Sequence, residues 1–242
     1  MVRALGDKLK TKGDAIKGWV RRKVRRVPKV PGATPQQQYD LEEVIPKARK
    51  MKKEIDATAD QIAGEIPGAT VAKAPLKKPA TIVEKSGRKY KTDAKPEGDV
   101  TALKDVARNT IVTPPGQEQQ ALKRLRELNP DIKDSQVKIV EGDKDPLGYS
   151  GMNIEVPTKH GHAETQINSP QMIYAKEKPS DARAILGDDV YDDLAGRPGM
   201  PEGGKGHTYY EDYRVSKDPV HKAKVAEESK AYYDSVREIG GS

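Results

Sequence analysis

The chain has 242 residues, of which 34% are hydrophobic and 33% charged, so it can bury only a modest core. Cysteine is absent, which excludes disulfide frameworks, cysteine catalysis and the usual zinc knuckles, and the four histidines lack metalloprotease-type spacing. A formal charge of +7 suits a polyanionic or phosphorylated partner, and no apolar run approaches the roughly 18 residues of a membrane-spanning helix, so the sequence reads as soluble.

Residues 1–36 carry RRKVRR at Arg21–Arg26 among further lysines and prolines, with little to bury. They read as a basic arm or linker, either disordered or helical through Leu5, Leu9, Ile16, Trp19 and Val20. From Gln37 to Glu65 apolar residues recur at helical spacing across Pro46, which predicts one long amphipathic helix or a kinked pair, stopped by Pro67-Gly68. A short strand is expected over residues 70–74. Residues 77–85 then offer a basic turn and a short helix, with Thr81 and Ile82 at its start, Lys77 and Lys85 bracketing the turn, and Arg88 and Lys89 close behind. Cations gathered near a helix start suit a phosphate group, although a solvated basic helix has the same composition. The polar stretch 91–99 reads as a loop.

Leu103–Thr113 is expected to run from a helix end into a central strand, with Asp105 and Arg108 at the junction. A helix over 117–128 and a strand over 137–140 follow, and the segment Gly142–Pro146 delivers the chain to an exposed Tyr149. Met152, Ile154 and Val156 alternate with Asn153 and Glu155. Beyond a Lys-His-Gly turn, Ala163, Thr165 and Ile167 alternate with Glu164, Gln166 and Asn168. This predicts a β-hairpin with one apolar and one polar face, an alternation that a merely solvated sheet face also gives. A helix from Pro170 to Lys176, one or two helices across 181–195, a Gly- and Pro-rich loop at Arg197–Gly206 suited to a lid, and a last helix over 219–239 complete the chain. Tyr209, Tyr210 and Glu211 suit a helix-docking cluster or a nucleotide clamp.

This order of elements, over roughly residues 38–178 and extending toward 239, resembles the synthetase domain of the RelA/SpoT family. Four local matches carry the resemblance: Lys77, Thr81, Ile82 and Lys85; Asp105 ahead of a central strand; Gly148-Tyr149 ahead of another; and Glu164-x-Gln166. The sequence departs from the family pattern where a histidine becomes Asn153, where an arginine becomes Asn168, and where a second arginine becomes Thr110, with Arg108 two positions earlier.

The resemblance implies an α+β, nucleotidyltransferase-like mixed sheet of about five strands flanked by helices. The catalytic domain would span 37–239, with its core at 70–178 and C-terminal helices at 179–239. The activity implied is transfer of pyrophosphate from ATP to the 3′-hydroxyl of a purine nucleotide, guanine or adenine, with Mg2+. In that scheme Asp105 and Glu164, on adjacent central strands, hold the metal, Glu164 accepts the hydroxyl proton and Gln166 supports the site. Lys77, Lys85, Arg88 and Arg108 take the ATP phosphates, and Tyr149 stacks on the acceptor base with Asn153 and Asn168 beside it. The compact catalytic unit with its basic arm resembles the family's toxin branch. That implies an effector delivered by a secretion or injection system into bacterial cytoplasm, with a cognate immunity or antitoxin protein. Two alternatives stay open at this point: the 3′ end of tRNA as acceptor, and a non-catalytic RNA-binding module.

Overall fold

The computed structural model describes residues 27–89 and 98–240, apart from the side chains of Arg88 and Lys89. Most of the basic arm, residues 1–26, and most of the loop expected over 91–99 lie outside the described residues. The chain divides into two compact units, one of Met1–Lys50 with Lys77–Val106, the other of Met51–Leu76 with Ala107–Ser242.

The first unit contains the N-terminal half of helix α1 (Pro35–Glu65). Its start is set by a reciprocal cap: Thr34 Oγ1 accepts from the Gln37 amide at 3.1 Å, and Gln37 Oε1 accepts from the Thr34 amide at 2.9 Å. Proline at the first helical position loses no hydrogen bond. Pro46 does, at a cost of about 3 kcal/mol, yet the helix continues through it. Leu41, Ile45, Ala48, Met51, Ile55 and Ile62 form a buried stripe that offsets this cost, so the single-helix alternative is the one realised. The unit also holds α2 (Pro79–Lys89) and a 3-10 turn at Val100–Ala102, capped by Asp99. That turn, rather than the expected helix end at Leu103, precedes the junction.

The second unit is built on a five-stranded sheet of β1 (Thr70–Ala72), β2 (Arg108–Val112), β3 (Val137–Val140), β4 (Gly151–Thr158) and β5 (Gly161–Asn168), ordered β1-β2-β5-β4-β3. All neighbours are antiparallel except β2 and β5, which run parallel. A parallel pair needs a crossover, and α3 (Glu118–Leu128), β3 and β4 supply it. The result is the mixed α+β sheet of five strands that the sequence predicts.

The predicted alternation sorts the faces. Met152, Ile154, Val156, Ala163, Thr165 and Ile167 are buried, and the register brings Asn109 and Ile111 of β2 onto the same side. Asn109, a polar group in this buried layer, donates to Asp56 of α1 at 3.1 Å, and Asp56 is paired with Lys52 at 2.5 Å.

The remaining helices are α4 (Pro170–Lys176), α5 (Pro179–Leu186), α6 (Asp188–Gly196), α7 (Lys205–Val215) and α8 (Pro219–Gly240). Lacking phenylalanine, they build their core from tyrosine: Tyr174 and Tyr191 stand 5.1 Å apart and Tyr232 and Tyr233 5.5 Å, among Ile173 and Val236. Buried hydroxyls need acceptors, and the segment between α6 and α7 provides them. Tyr174 Oη donates to the Pro201 carbonyl at 2.9 Å and Tyr232 Oη to that of Glu202 at 3.0 Å, while Arg197 Nη1 donates to the Gly240 carbonyl at 2.9 Å. The loop expected to serve as a lid is therefore fastened to the helices. Tyr209 docks on Tyr232 at 5.8 Å and Tyr210 is exposed, as a helix-docking cluster requires of one of the two. No helix among the described residues is long and apolar enough to cross a membrane.

Candidate functional site

In the first unit three of the predicted residues converge. The Asp105 carboxylate is paired with Lys77 Nζ at 3.4 Å and, more closely, with Lys85 Nζ. Asp105 lies ahead of the central strand, at the junction where the sequence places it, and not on a strand as the resemblance implies. The Val106 carbonyl accepts from the Lys77 amide at 3.1 Å, so this segment pairs with the stretch ahead of α2, and the sheet ladder begins only at Arg108. Nor do the lysines line a helix start: Lys77 precedes α2 and Lys85 lies within it. Arg88, expected with them, has a side chain outside the described residues.

Burial alone would raise the Asp105 pKa, but the hydrogen bond from Lys85 and the charge of Lys77 more than offset it and hold the carboxyl below the ordinary aspartate value. The sign follows. A depressed pKa means that this pairing stabilises the fold above the unfolded-state value and is lost as pH falls through the folded one. The carboxylate is a hard oxygen donor of the kind Mg2+ prefers, but its charge is already met by two ammonium groups. Among the described residues no group of three or more His, Asp or Glu side chains is placed to hold a metal ion.

In the second unit the polar face of the sheet gathers another set. Gln166 Nε2 donates to Glu164 Oε1 at 2.9 Å. Glu164 faces Arg108 across the parallel pair and Glu155 across the antiparallel one, and Asn153 stands opposite Gln166. Arg108 makes no hydrogen bond or ion pair among the described residues. Two carboxylates opposite each other are mutually unfavourable, so this row favours cations. Gln166 and Asn168 are buried, unlike the solvated face that the alternation also permits.

Tyr149 is held from several sides. Its hydroxyl accepts from Asn168 Nδ2 at 2.7 Å, Asn168 being only 2% exposed. Its ring meets Tyr233 edge-on at 5.9 Å, and Lys176 Nζ lies 5.3 Å from its centroid. The ring is half-buried, not the freely exposed aromatic that the sequence suggests. Beside it opens a cavity of about 280 Å3, lined in part by Ser150, Gly151, Met152, Asn168, Ser169 and Met172. Lys176 went unnoticed in the sequence because it belongs to no motif. It pairs with Glu177 at 3.1 Å. Burial pushes its pKa down, but the Tyr149 phenol and Glu177 outweigh that and keep it above the ordinary lysine value.

The loop bearing Tyr149 is anchored by α8. Ser229 Oγ donates to the Leu147 carbonyl at 2.8 Å and Arg237 Nη1 to that of Gly148 at 2.7 Å. Gly148 has φ +83°, and a Cβ there would stand 2.8 Å from the Lys230 Cα. Gly148→Ala is therefore expected to cost about 1–3 kcal/mol of stability, the usual scale for a non-glycine residue forced into that region. Chemical denaturation checks this; an unchanged midpoint would show that the loop is not fixed by α8.

The first unit thus offers a partly buried Lys–Asp–Lys cluster, and the second a mixed sheet with a carboxylate–amide pair and a fixed tyrosine on it. No family model matches the sequence. The chain is 44% identical over 205 residues to the (p)ppApp synthetase toxin Tas1 of Pseudomonas aeruginosa, a match covering 84% of this chain but 44% of that protein. It therefore spans less than half the length of the curated relative it matches. Against the crystal structure of the Type VI effector Tas1 in complex with its immunity protein, identity is 44% and the TM-score 0.71, over 81% of this chain and 96% of that one. The small alarmone synthetase 1 of Bacillus subtilis is a more distant likeness, at 16% identity and TM-score 0.44 over 83% of this chain and 94% of that one. The chain belongs to the toxin branch of the RelA/SpoT synthetase family, with Tas1.

Proposed function

We propose that this chain is an ATP-dependent pyrophosphokinase of the toxin type, transferring the terminal diphosphate of ATP to the 3′-hydroxyl of a purine nucleotide. The observation that carries the reading is the 44% identity, spread over four-fifths of the chain, to a structure of a (p)ppApp synthetase toxin. That name makes an adenine nucleotide the first acceptor to test. Nothing among these relatives points to RNA.

In this reading Lys77, Lys85 and Arg108, with Arg88, neutralise the triphosphate, since phosphoryl transfer is catalysed mostly by charge and position. Asp105 and Glu164 are the carboxylates assigned to Mg2+, which when bound would screen the phosphates from the approaching hydroxyl. Glu164, its carboxylate oriented by Gln166, takes the hydroxyl proton. Tyr149, with Asn153 and Asn168, receives the acceptor. Asn153 and Asn168 present amides where the family has a histidine and an arginine, which lowers the positive charge offered to the acceptor. A cognate immunity protein and delivery to the cytoplasm of a target bacterium belong to the same proposal.

The test is incubation with ATP labelled in its terminal phosphate and, in turn, ADP, ATP, GDP and GTP in Mg2+. Label is expected in a more highly phosphorylated adenine nucleotide, and chelation of the metal should stop it. Failure to label any nucleotide product would overturn the proposal.

A further inference from the structure

We infer that, in the free protein, Asp105 is the built-in counter-ion of the two lysines meant for the donor's phosphates, so that nucleotide phosphate and divalent metal bind as a coupled pair. This rests on the reading of Lys77 and Lys85 as phosphate-binding groups. The observation behind it is that one carboxylate is shared by two ammonium groups in a place largely shielded from water. The side-chain exposures are 12% for Asp105, 16% for Lys77 and 28% for Lys85.

Charges so placed are costly to strand, because a partner removed from a shielded pair leaves the other uncompensated. A triphosphate that claims the lysines must take them from Asp105. The carboxylate is then left without its cations, and a hard divalent ion is the partner best suited to replace them. Conversely, a metal ion approaching Asp105 in the free protein meets two ammonium groups already within 4 Å of it and is repelled. Each ligand removes the obstacle to the other. Such coupling is reciprocal by thermodynamic necessity, and its usual size is roughly 5–150-fold in affinity.

A purely structural turn aspartate would give a different result in the experiment below. Its replacement would loosen the segment and weaken, or leave unmoved, the binding of any anion.

The test measures binding rather than turnover, in two arms. In the first, a non-hydrolysable ATP analogue is titrated in EDTA into the wild type and Asp105→Asn. With the Asp105 charge removed from beside them, the lysines of the variant should bind the metal-free analogue more tightly, by roughly 5–150-fold. In the second, Mn2+ alone is titrated by electron paramagnetic resonance into the wild type and Lys85→Gln. The variant should gain affinity by a factor in the same range although no nucleotide is present. Lys85 is the more exposed lysine, so this arm stands if Asp105→Asn proves unfolded by circular dichroism. Unchanged or weaker binding in the folded variants of both arms overturns the counter-ion role. If the wild type fails to bind the analogue even with Mn2+, the phosphate-binding reading of Lys77 and Lys85 falls, and this inference falls with it. Analogue binding with both substitutions silent removes the inference alone.

Discussion

Glu164→Gln is expected to lower the rate of diphosphate transfer by at least roughly 10²–10⁴-fold, the range for loss of a positioned general base, while leaving the fold unchanged. The structure gives reasons for both halves. Glu164 is half-buried on the polar face of β5 and contributes nothing to the apolar layer beneath. The one hydrogen bond that its carboxylate accepts among the described residues, from Gln166 Nε2 at 2.9 Å, can be accepted equally by an amide oxygen, so the substitution leaves that donor met. The volume is conserved, and stability should move by no more than about 0.5 kcal/mol, as at ordinary surface positions. What is lost is the charge. An amide can neither take the proton of the attacking hydroxyl nor neutralise a divalent ion, and it stands beside Arg108 without balancing it. Single-turnover kinetics on protein with an unchanged thermal midpoint is the decisive measurement. Retention of a tenth or more of the wild-type rate would show that the base lies elsewhere.

The two strands of the central hairpin were legible because the signal repeats. Residues 152–156 of β4 and 163–168 of β5 alternate apolar with polar on either side of the turn, and a register slip by one would expose the apolar side chains of the slipped strand. β3 and α4 begin and end where the sequence places them, since proline, glycine and charge mark their limits. The cap at Thr34 was also available in the sequence as a Thr-x-x-Gln pattern ahead of an apolar stripe, although the helix is expected only from Gln37.

Other features leave no local trace. Asp105 meets Lys85 from 20 residues away, and a lone Asp ahead of a strand says nothing about which cations it will find. The fastening of Arg197–Gly204 was hidden by its own composition. Glycine and proline read as freedom, whereas here Gly203 and Gly204 let the backbone approach Tyr174 and Glu177 closely, and the carbonyls nearby satisfy buried tyrosines. Lys176 reaches Tyr149 only because α4 folds back beside the hairpin, a tertiary event that no spacing along the chain encodes.

Tyr149 carries the second large expected effect. Stacking on a purine tolerates any aromatic, so on stacking alone Tyr149→Phe should be nearly silent. The structure revises that expectation. The hydroxyl is the acceptor for Asn168 Nδ2, and the Oδ1 of the same amide lacks a partner among the described residues. Removing the hydroxyl leaves the whole buried amide unsatisfied, which should cost about 1–3 kcal/mol of stability with acceptor affinity reduced only slightly. Tyr149→Ala removes the ring as well, and with it the edge contact to Tyr233 and the support of the Lys176 ammonium. It should weaken acceptor binding by about 1–3 kcal/mol, the range found for base–aromatic stacking. ATP affinity should hardly change, because the contacts of Tyr149 are with Asn168, Tyr233 and Lys176 and not with the lysines assigned to the ATP phosphates. Paired titrations with an ATP analogue and with the acceptor, on variants shown to be folded, separate the cases. An equal fall in both affinities, or no fall in either, would make Tyr149 a packing residue of the α8 anchor. Acceptor recognition would then have to be sought elsewhere along the polar face.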